Sequence, residues 1–322
     1  MELLQLVEKF KNVFSIEKIE DVVDELKSTL LNAENCRKLC EDWILICPDL
    51  TIDYMQMIFQ YYFADRKEKM QDYTPKSLAV AVAELSKTEN EKICLDLCAG
   101  SGALTIQKWN ENNDLKFICK EYDSRVIPFL LFNLAIRNID AEVIHCDVLS
   151  DEIFKTYRTQ KGNRFATVKE ITKSEFKADC CISNPPYNMK WEQPVFAQLQ
   201  NRFSQCEVPP ESNANYAFVL TALDISTHTL RGERDSTYCI CEVTPPQQSG
   251  HFTKNHFKKR CFLHNMYYIF SEPPYKTNIT ARSLTKSNCP QGHMFPLHLY
   301  APLSSSNYYP DNRIEGYLVL HQ

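Results

Sequence analysis

Four consecutive residues, Asn184-Pro185-Pro186-Tyr187, combine hydrogen-bond acceptors with an aromatic ring. The side-chain oxygen of Asn184 and the backbone carbonyl of Pro185 can each accept one N–H group. The two prolines lack N–H groups and fix φ, so they add no competing donor and keep the carbonyls in place. Tyr187 can stack on a planar group, as aromatic residues do with exposed bases. We expect a catalytic loop that holds a conjugated amino or amide nitrogen and draws out its lone pair.

A glycine turn after an apolar strand indicates where a cofactor binds. Residues 93–105 run from Ile-Cys-Leu-Asp through Ala-Gly-Ser-Gly to Thr. A dinucleotide site would have a third glycine three residues after Gly102 and a pyrophosphate at the start of the next helix. That position is a threonine, and Asp96, four residues before Gly100, would repel a pyrophosphate but suits a cationic aminoacyl group. The pattern favours S-adenosylmethionine (SAM) over NAD, with Asp96, Ala99, Gly100 and Gly102 as expected contacts.

Two further acids follow the next two predicted strands. Glu121 ends the second strand, where βαβ cofactor folds place an acid that accepts hydrogen bonds from ribose hydroxyls. Asp147 follows the third strand, and its carboxylate can accept a hydrogen bond from an adenine amino group. Each acid alone is typical of a solvated strand end. Together with Asp96 they make three acids at the ends of three successive strands, which predicts a SAM site at that edge of the sheet.

Short apolar runs alternate with helical periodicity after residue 92, and these elements must position the site. The predicted strands are 92–97, 116–120, 141–145, 178–183, 237–243 and 266–270, with a helix at 216–227 before the last two. Strands that alternate with helices give a mostly parallel sheet covered on both faces. The predicted fold class is therefore α/β, a doubly wound Rossmann-like sheet. The segment 150–177 is charged, has no clean period, and is predicted to be an insertion or surface element.

Apolar residues recur at helical spacing from residue 2 to about residue 66, which predicts a small N-terminal helical domain. Thr74 is then expected to cap a helix at 76–85, with Pro75 at its first position. We expect three parts: the helical domain at 1–68, a catalytic domain at 69–300, and a C-terminal tail at 301–322.

Composition limits the classes of partner and compartment. The chain has 322 residues, of which 44% are hydrophobic, and a formal net charge of −5. An acidic chain has no global attraction for nucleic acid, so contact with DNA or RNA would need a local basic face or a partner. No apolar stretch is long enough to span a bilayer, and residues 1–26 lack a secretory apolar run, which predicts a cytoplasmic protein. The fourteen cysteines are predicted to be reduced core residues, and their spacing does not predict a metal site.

Four features in order over residues 71–270 resemble the adenine-N6 DNA methyltransferases, and among them the modification subunits of type I restriction-modification systems. The features are Gln71-Asp72-Tyr73-Thr74-Pro75, the glycine turn, the two strand-end acids and the Asn-Pro-Pro-Tyr loop. The resemblance implies SAM-dependent methyl transfer to N6 of adenine in DNA. It also implies that Tyr73 and Thr74 close over the methionine end of SAM. A lysine-rich segment at 254–260 resembles that family's basic helix, although a solvated face is the simpler interpretation.

The sequence departs from self-sufficient members of that family in ways that concern its partners. Only about fifty residues follow the last predicted strand, too few for a separate target-recognition domain, and the N-terminal helical part is short. Together with the acidic charge, this predicts a hetero-oligomer that reads DNA sequence through a specificity subunit.

Other functions stay open at this stage. A glutamine-N5 methyltransferase of translation release factors also combines a small helical domain with an Asn-Pro-Pro-Tyr loop, and the length of the chain suits it. The Tyr-Thr-Pro segment at 73–75 and the insertion at 150–177 favour adenine instead. A ribosomal RNA guanine-N2 methyltransferase and a SAM-binding subunit without turnover are further alternatives, and an NAD enzyme is the least supported.

Overall fold

Parallel strands of mainly apolar residues form the centre of the protein in its computed structural model. The structure describes residues 3–14, 18, 21–63, 74–87, 91–186, 189–191, 214, 217–218 and 221–222. For residues 237–243, 266–271, 278–284, 295–299 and 314–318 it describes the backbone.

The described residues form helices and strands in the following order. The helices are α1 (Leu3–Phe14), α2 (Val22–Leu31), α3 (Ala33–Ile46), α4 (Tyr54–Tyr62), α5 (Lys76–Leu85), α6 (Ala103–Glu111) and α7 (Ile127–Ile136). The strands are β1 (Ile93–Asp96), β2 (Lys116–Glu121), β3 (Ala141–Asp147), β4 (Glu152–Gln160), β5 (Thr167–Ile171), β6 (Cys180–Ser183), β7 (Thr237–Val243), β8 (Met266–Ser271), β9 (Asn278–Leu284), β10 (Phe295–Leu299) and β11 (Ile314–Leu318). These strands form one sheet in the order β10-β11-β9-β8-β7-β6-β1-β2-β3-β4-β5.

The middle of the sheet is parallel, and β1, β2, β3 and β6 are buried on both faces. β1 pairs with β2 on one side and with β6 on the other, β2 pairs with β3, and β6 pairs with β7, which pairs with β8. Neighbouring residues of β1 pack in different cores, Cys94 on one face and Leu95 on the other. This burial explains why the strands read as continuous apolar runs. The predicted α/β fold class is confirmed, and the carboxyl ends of these strands meet at one edge.

The segment at 150–177 contains an antiparallel hairpin that the sequence pattern did not predict. β4 pairs with β3, and β5 pairs with β4. The first four residues of β4 are exposed and most of the later ones are buried, so the strand shows no simple alternation. Asn138, which follows α7 with φ at 56°, clamps the turn of the hairpin. Its side chain donates to the carbonyl of Gly162 and accepts from the N–H of Gly162, both at 2.9 Å.

The helices at 3–63 pack against the sheet and α7 in one continuous hydrophobic core. Phe10 of α1 stacks on Phe129 of α7 with ring centroids 6.4 Å apart, and Trp43 of α3 meets Phe132 edge-on at 6.0 Å. α7 is buried along its whole length, as expected for a helix that is apolar on nearly every side. The division into separate domains at residue 68 stays a prediction.

Several predictions fall on segments beyond these central elements. The predicted helix at 216–227 is helical at 217–218 and 221–222, where the structure describes it. The basic segment at 254–260 lies outside the described residues. β11 lies within the predicted tail, and its backbone pairs with β9 and β10. No described helix has both the length and the apolar character needed to cross a bilayer.

Candidate active site

Backbone hydrogen bonds bring the ends of three neighbouring strands together. The N–H of Leu97, just after β1, donates to the carbonyl of Ile182 in β6 at 3.2 Å. The N–H of Ala99 donates to the carbonyl of Lys120 in β2 at 2.9 Å. The residues that follow β1, β2 and β6 therefore share one edge of the sheet, as the sequence predicted.

The turn between β1 and α6 needs glycine for two different reasons. Gly100 and Gly102 have φ values of 55° and 100°, in the left-handed region that other residues rarely adopt. A side chain at Gly102 would also meet the Cδ1 atom of Leu130 at 3.0 Å, whereas the space beside Gly100 is open to 4 Å. The turn is closed by a hydrogen bond of 2.8 Å from the N–H of Gly102 to the carbonyl of Ala99. It packs against the protein through Gly102 and leaves room on the side of Gly100.

Asp96 is an entirely buried acid beneath this turn. Its Oδ2 atom accepts a hydrogen bond of 2.7 Å from the hydroxyl of Thr105. Its Oδ1 atom is buried and has no hydrogen-bond partner within the described part of the chain. Burial raises the pKa of Asp96 to about 7, and the hydrogen bond from Thr105 opposes this effect. The site thus holds a buried acceptor that a cation or an N–H donor would complete.

Glu121, at the end of β2, is bound to the glycine turn. Its Oε2 atom accepts from the N–H of Gly100 at 2.8 Å, and its Oε1 atom accepts from the N–H groups of Tyr122 and Asp123 at 2.9 and 2.7 Å. Burial raises the pKa of Glu121, although these backbone hydrogen bonds oppose it. A carboxylate oxygen can accept two hydrogen bonds, so Oε2 can still accept one from a hydroxyl.

Asp147, at the end of β3, starts the turn into the hairpin. Its Oδ1 atom accepts from the N–H of Leu149 at 2.9 Å and from the N–H of Ser150 at 3.4 Å. The residue is half-buried. The structure therefore places all three predicted acids at the carboxyl ends of their strands.

Asn184 follows β6 and is tied to the segment before α5. Its Nδ2 atom donates to the hydroxyl of Thr74 at 2.8 Å, while its Oδ1 atom is buried without a described partner. Pro185 is also buried, and Pro186 is half-buried. Tyr73 and Tyr187 lie outside the described residues, so their predicted roles stay predictions.

The predicted helix at 76–85 is confirmed, but its predicted cap is wrong. Pro75, with φ at −60° and ψ at 146°, takes the cap position, and its side chain makes no capping hydrogen bond. The hydroxyl of Thr74 instead accepts the hydrogen bond from Asn184. A contact between residues distant in sequence has replaced a local one.

A buried polar network beneath the glycine turn was not predicted from the sequence. Asp53, just before α4, accepts from the hydroxyl of Ser101 at 2.6 Å and from the side-chain amide of Asn133 at 2.7 Å. Arg137 donates to the side-chain oxygen of Asn133 at 2.9 Å. One signal was available: Asn133 is a polar residue within the otherwise apolar α7, and such residues are buried only with partners.

The donors and acceptors at this edge fit SAM. The unpartnered oxygen of Asp96 suits the aminoacyl end, Glu121 has an acceptor left for a ribose hydroxyl, and the open side of Gly100 lets a ligand approach the backbone. A parallel sheet with a glycine turn after its central strand and acids after the next two is the arrangement expected of a SAM-dependent methyltransferase.

Comparison with known proteins places the chain within this class. Residues 49–231, more than half of the chain, match the sequence model of the N-6 DNA Methylase family. The chain belongs to this family.

Two relatives illustrate how far the likeness extends. The methylase subunit of the type I restriction enzyme MjaVIII from Methanocaldococcus jannaschii is 21% identical over 180 residues. That match covers 53% of this chain but only 29% of the relative, so the chain spans less than a third of that protein. The solved type I restriction-modification methyltransferase subunit from Streptococcus thermophilus is 16% identical, with a TM-score of 0.40, over 69% of this chain and 49% of that one.

Proposed function

We propose that this chain transfers the methyl group of SAM to the exocyclic N6 of adenine in DNA. One observation carries the proposal. The Oδ1 atom of Asn184 is a buried acceptor without a described partner, held by Thr74 at the same sheet edge as the glycine turn. An amino group placed there would satisfy this oxygen. Membership of the N-6 DNA Methylase family supports adenine in DNA as the carrier of that amino group.

The proposed cofactor contacts follow the positions of the acids. Asp96 lies beneath the turn, where its free oxygen would stabilise the cationic aminoacyl end of SAM, directly or through a neighbouring N–H. Glu121 would bind the ribose hydroxyls and Asp147 the adenine amino group of SAM. The backbone of the glycine turn, at Ala99, Gly100 and Gly102, would line the cofactor, and Tyr73 and Thr74 would close over its methionine end.

The proposed chemistry is activation of a weak nucleophile. The lone pair of an adenine amino group is delocalised into the ring. When Asn184 and the Pro185 carbonyl each accept one of its N–H groups, the nitrogen becomes more tetrahedral and its lone pair can attack. Bound SAM supplies the electrophilic methyl group. The same two acceptors can hold the extra proton of the methylated nitrogen until water takes it, so no strong base is required. Tyr187 would stack on the base, which must leave the duplex to reach this edge.

We also propose that a partner subunit supplies DNA sequence recognition. The net charge of −5 gives the chain no general attraction for DNA. The curated relative is itself a methylase subunit of a larger restriction enzyme, which supports an assembly of this kind.

The test is transfer of labelled methyl from SAM to DNA, to RNA and to a release-factor protein, followed by digestion and identification of the labelled product. We expect label in N6-methyladenine from DNA, with the partner subunit present. Label in glutamine or in guanine of RNA would contradict the proposal. Binding of SAM without transfer to any of the three acceptors would show that the chain is a cofactor-binding subunit without methyltransferase activity.

Two variants of Asn184 test its assigned role. Asn184→Ala removes the acceptor and should lower the transfer rate by about 100-fold or more, as loss of one stabilising hydrogen bond at a reacting group does. Asn184→Asp keeps an acceptor oxygen but loses the N–H that binds Thr74, so it should retain more activity than the alanine variant. Full activity of Asn184→Ala would show that the assignment is wrong.

A further inference from the structure

The loop before α4 and the first turn of that helix lie next to both halves of the candidate site. Residues 49–56 are called the α4 start. We infer that two of its residues position the site: Asp53 holds the glycine turn in the shape that binds SAM, and Gln56 holds Asn184 through Thr74. The inference rests on the proposed function, because it gives these contacts separate roles in cofactor binding and in methyl transfer.

Asp53 is the anchor of the glycine turn. It is buried, and its Oδ2 atom accepts a hydrogen bond of 2.6 Å from the hydroxyl of Ser101. Its Oδ1 atom accepts from the N–H of Gln56 at 2.8 Å and from the Nδ2 atom of Asn133 at 2.7 Å. Ser101 stands between the two glycines of the turn and is the one residue of these three with a side chain that can form a hydrogen bond. Asn133 also donates to the backbone carbonyl of Ser101 at 2.8 Å.

Arg137 fixes the backbone on which Asp53 stands. Its Nε and Nη2 atoms donate to the carbonyls of Leu50 and Ile52 at 2.7 and 2.8 Å. Burial lowers the pKa of Arg137 to about 10, so the guanidinium is still a cation near neutral pH. Burial raises the pKa of Asp53, and the hydrogen bond from Ser101 and the charge of Arg137 oppose this effect. The hydrogen bonds of Arg137 keep the α4 start from moving away from the turn.

Gln56 acts on the catalytic loop by two hydrogen bonds in series. Its Nε2 atom donates to the backbone carbonyl of Thr74 at 3.2 Å, and the hydroxyl of Thr74 accepts from the Nδ2 atom of Asn184 at 2.8 Å. The second bond occupies the donor end of the Asn184 amide. Because Nδ2 is bound to Thr74, Oδ1 is the atom left to accept an amino group.

The first arm of the test measures SAM affinity by calorimetry on the full chain. Asp53→Asn keeps the size of the side chain but removes the charged acceptor, and Ser101→Ala removes the other end of the same hydrogen bond. Each should weaken SAM binding by about tenfold, the usual effect of losing a hydrogen bond to a charged group. Asp49→Asn is the matched control. Asp49 lies in the same loop, is exposed and accepts from the N–H and hydroxyl of Thr51, so SAM affinity should stay within twofold.

The second arm separates binding from transfer. Gln56→Met has a similar shape without the amide donor, and it should lower the transfer rate at saturating SAM by about tenfold while SAM affinity stays within about threefold. Gln60→Met, one turn further along α4 and equally half-buried, is the matched control and should change neither quantity.

The pattern across these variants decides the inference. If Asp53 and Gln56 had a purely structural role, their variants would lower SAM affinity and the transfer rate together in both arms. Wild-type SAM affinity in both Asp53→Asn and Ser101→Ala would overturn the role of Asp53. A wild-type transfer rate in Gln56→Met would overturn the role of Gln56. Label in an acceptor other than DNA adenine would overturn the proposed function alone, since the affinity arm does not depend on DNA. A wild-type chain that binds no SAM would overturn both.

Discussion

Burial of Asp96 costs free energy that hydrogen bonds from the described residues offset only in part. The side chain is buried, only Oδ2 has a described partner, and burial raises the pKa to about 7. Acids whose pKa is raised by burial cluster at functional sites. A bound cation would favour the ionised carboxylate, so the ligand would recover part of the energy that burial costs.

The pH dependence of stability tests this view of Asp96. At pH values between the ordinary pKa of an aspartic acid and about 7, Asp96 holds a proton in the folded state that it has lost in the unfolded state. The wild type therefore loses stability as the pH rises through this range. Asp96→Asn removes that loss. The free energy of unfolding of the variant minus that of the wild type should therefore increase by about 2 kcal/mol from pH 5 to pH 7 and then level off. Urea unfolding without SAM at pH 5, 6, 7 and 8 measures it, and a constant difference would contradict the prediction.

At the scale of elements, burial on both faces determined what could be predicted. β1 and β6 are apolar up to their last residues because both faces of these strands are buried, and their sequences predicted them without knowledge of the partner strands. β4 was missed because its first half is exposed and its second half is buried. The signals that remained were the Gly162-Asn163 turn and the β-branched residues on either side of it.

The residues with proposed chemical roles were easier to predict from the sequence than the residues that hold them in place. Local motifs predicted Asn184, Asp96, Gly100 and Gly102 as site residues because the proposed chemistry constrains their types and spacing. Asp53 could not be found in this way, because its contact with Ser101 joins residues 48 positions apart. No local pattern specifies such a pair.

Asn138 provides a test of how the hairpin is attached. Its φ of 56° is unfavourable for alanine, and its side chain makes two hydrogen bonds to Gly162. Asn138→Ala should lower the free energy of unfolding by about 2–3 kcal/mol, the combined effect of the strained backbone and the lost hydrogen bonds. Asn138→Gly removes only the hydrogen bonds and should cost less. Urea unfolding measures both, and equal losses would show that the backbone conformation contributes nothing.

For the whole molecule, the shared core predicts that the helices at 3–63 and the sheet unfold together. Phe10 is fully buried and contacts Phe14, Trp43 and Phe129. Phe10→Ala should lower the free energy of unfolding by about 3–5 kcal/mol, as large-to-small changes in cores do. Circular dichroism and tryptophan fluorescence should report one transition.

The control for that experiment lies on the same helix. Leu4 is 67% exposed, so Leu4→Ala should change stability by less than about 0.5 kcal/mol. Two separate transitions in the Phe10 variant would show instead that the helices at 3–63 unfold as a unit of their own.

The order of strands in the sheet also has a consequence for synthesis of the chain on the ribosome. β1 lies between β2 and β6, yet β6 is made only after β2, β3, β4 and β5. One backbone edge of β1 therefore has no permanent partner while those strands emerge, a stage at which nascent chains are prone to aggregate. When β6 arrives it brings Asn184 directly behind it, to meet a Thr74 made 110 residues earlier. The growing polypeptide thus closes the middle of its sheet and acquires the asparagine proposed to be catalytic in the same event.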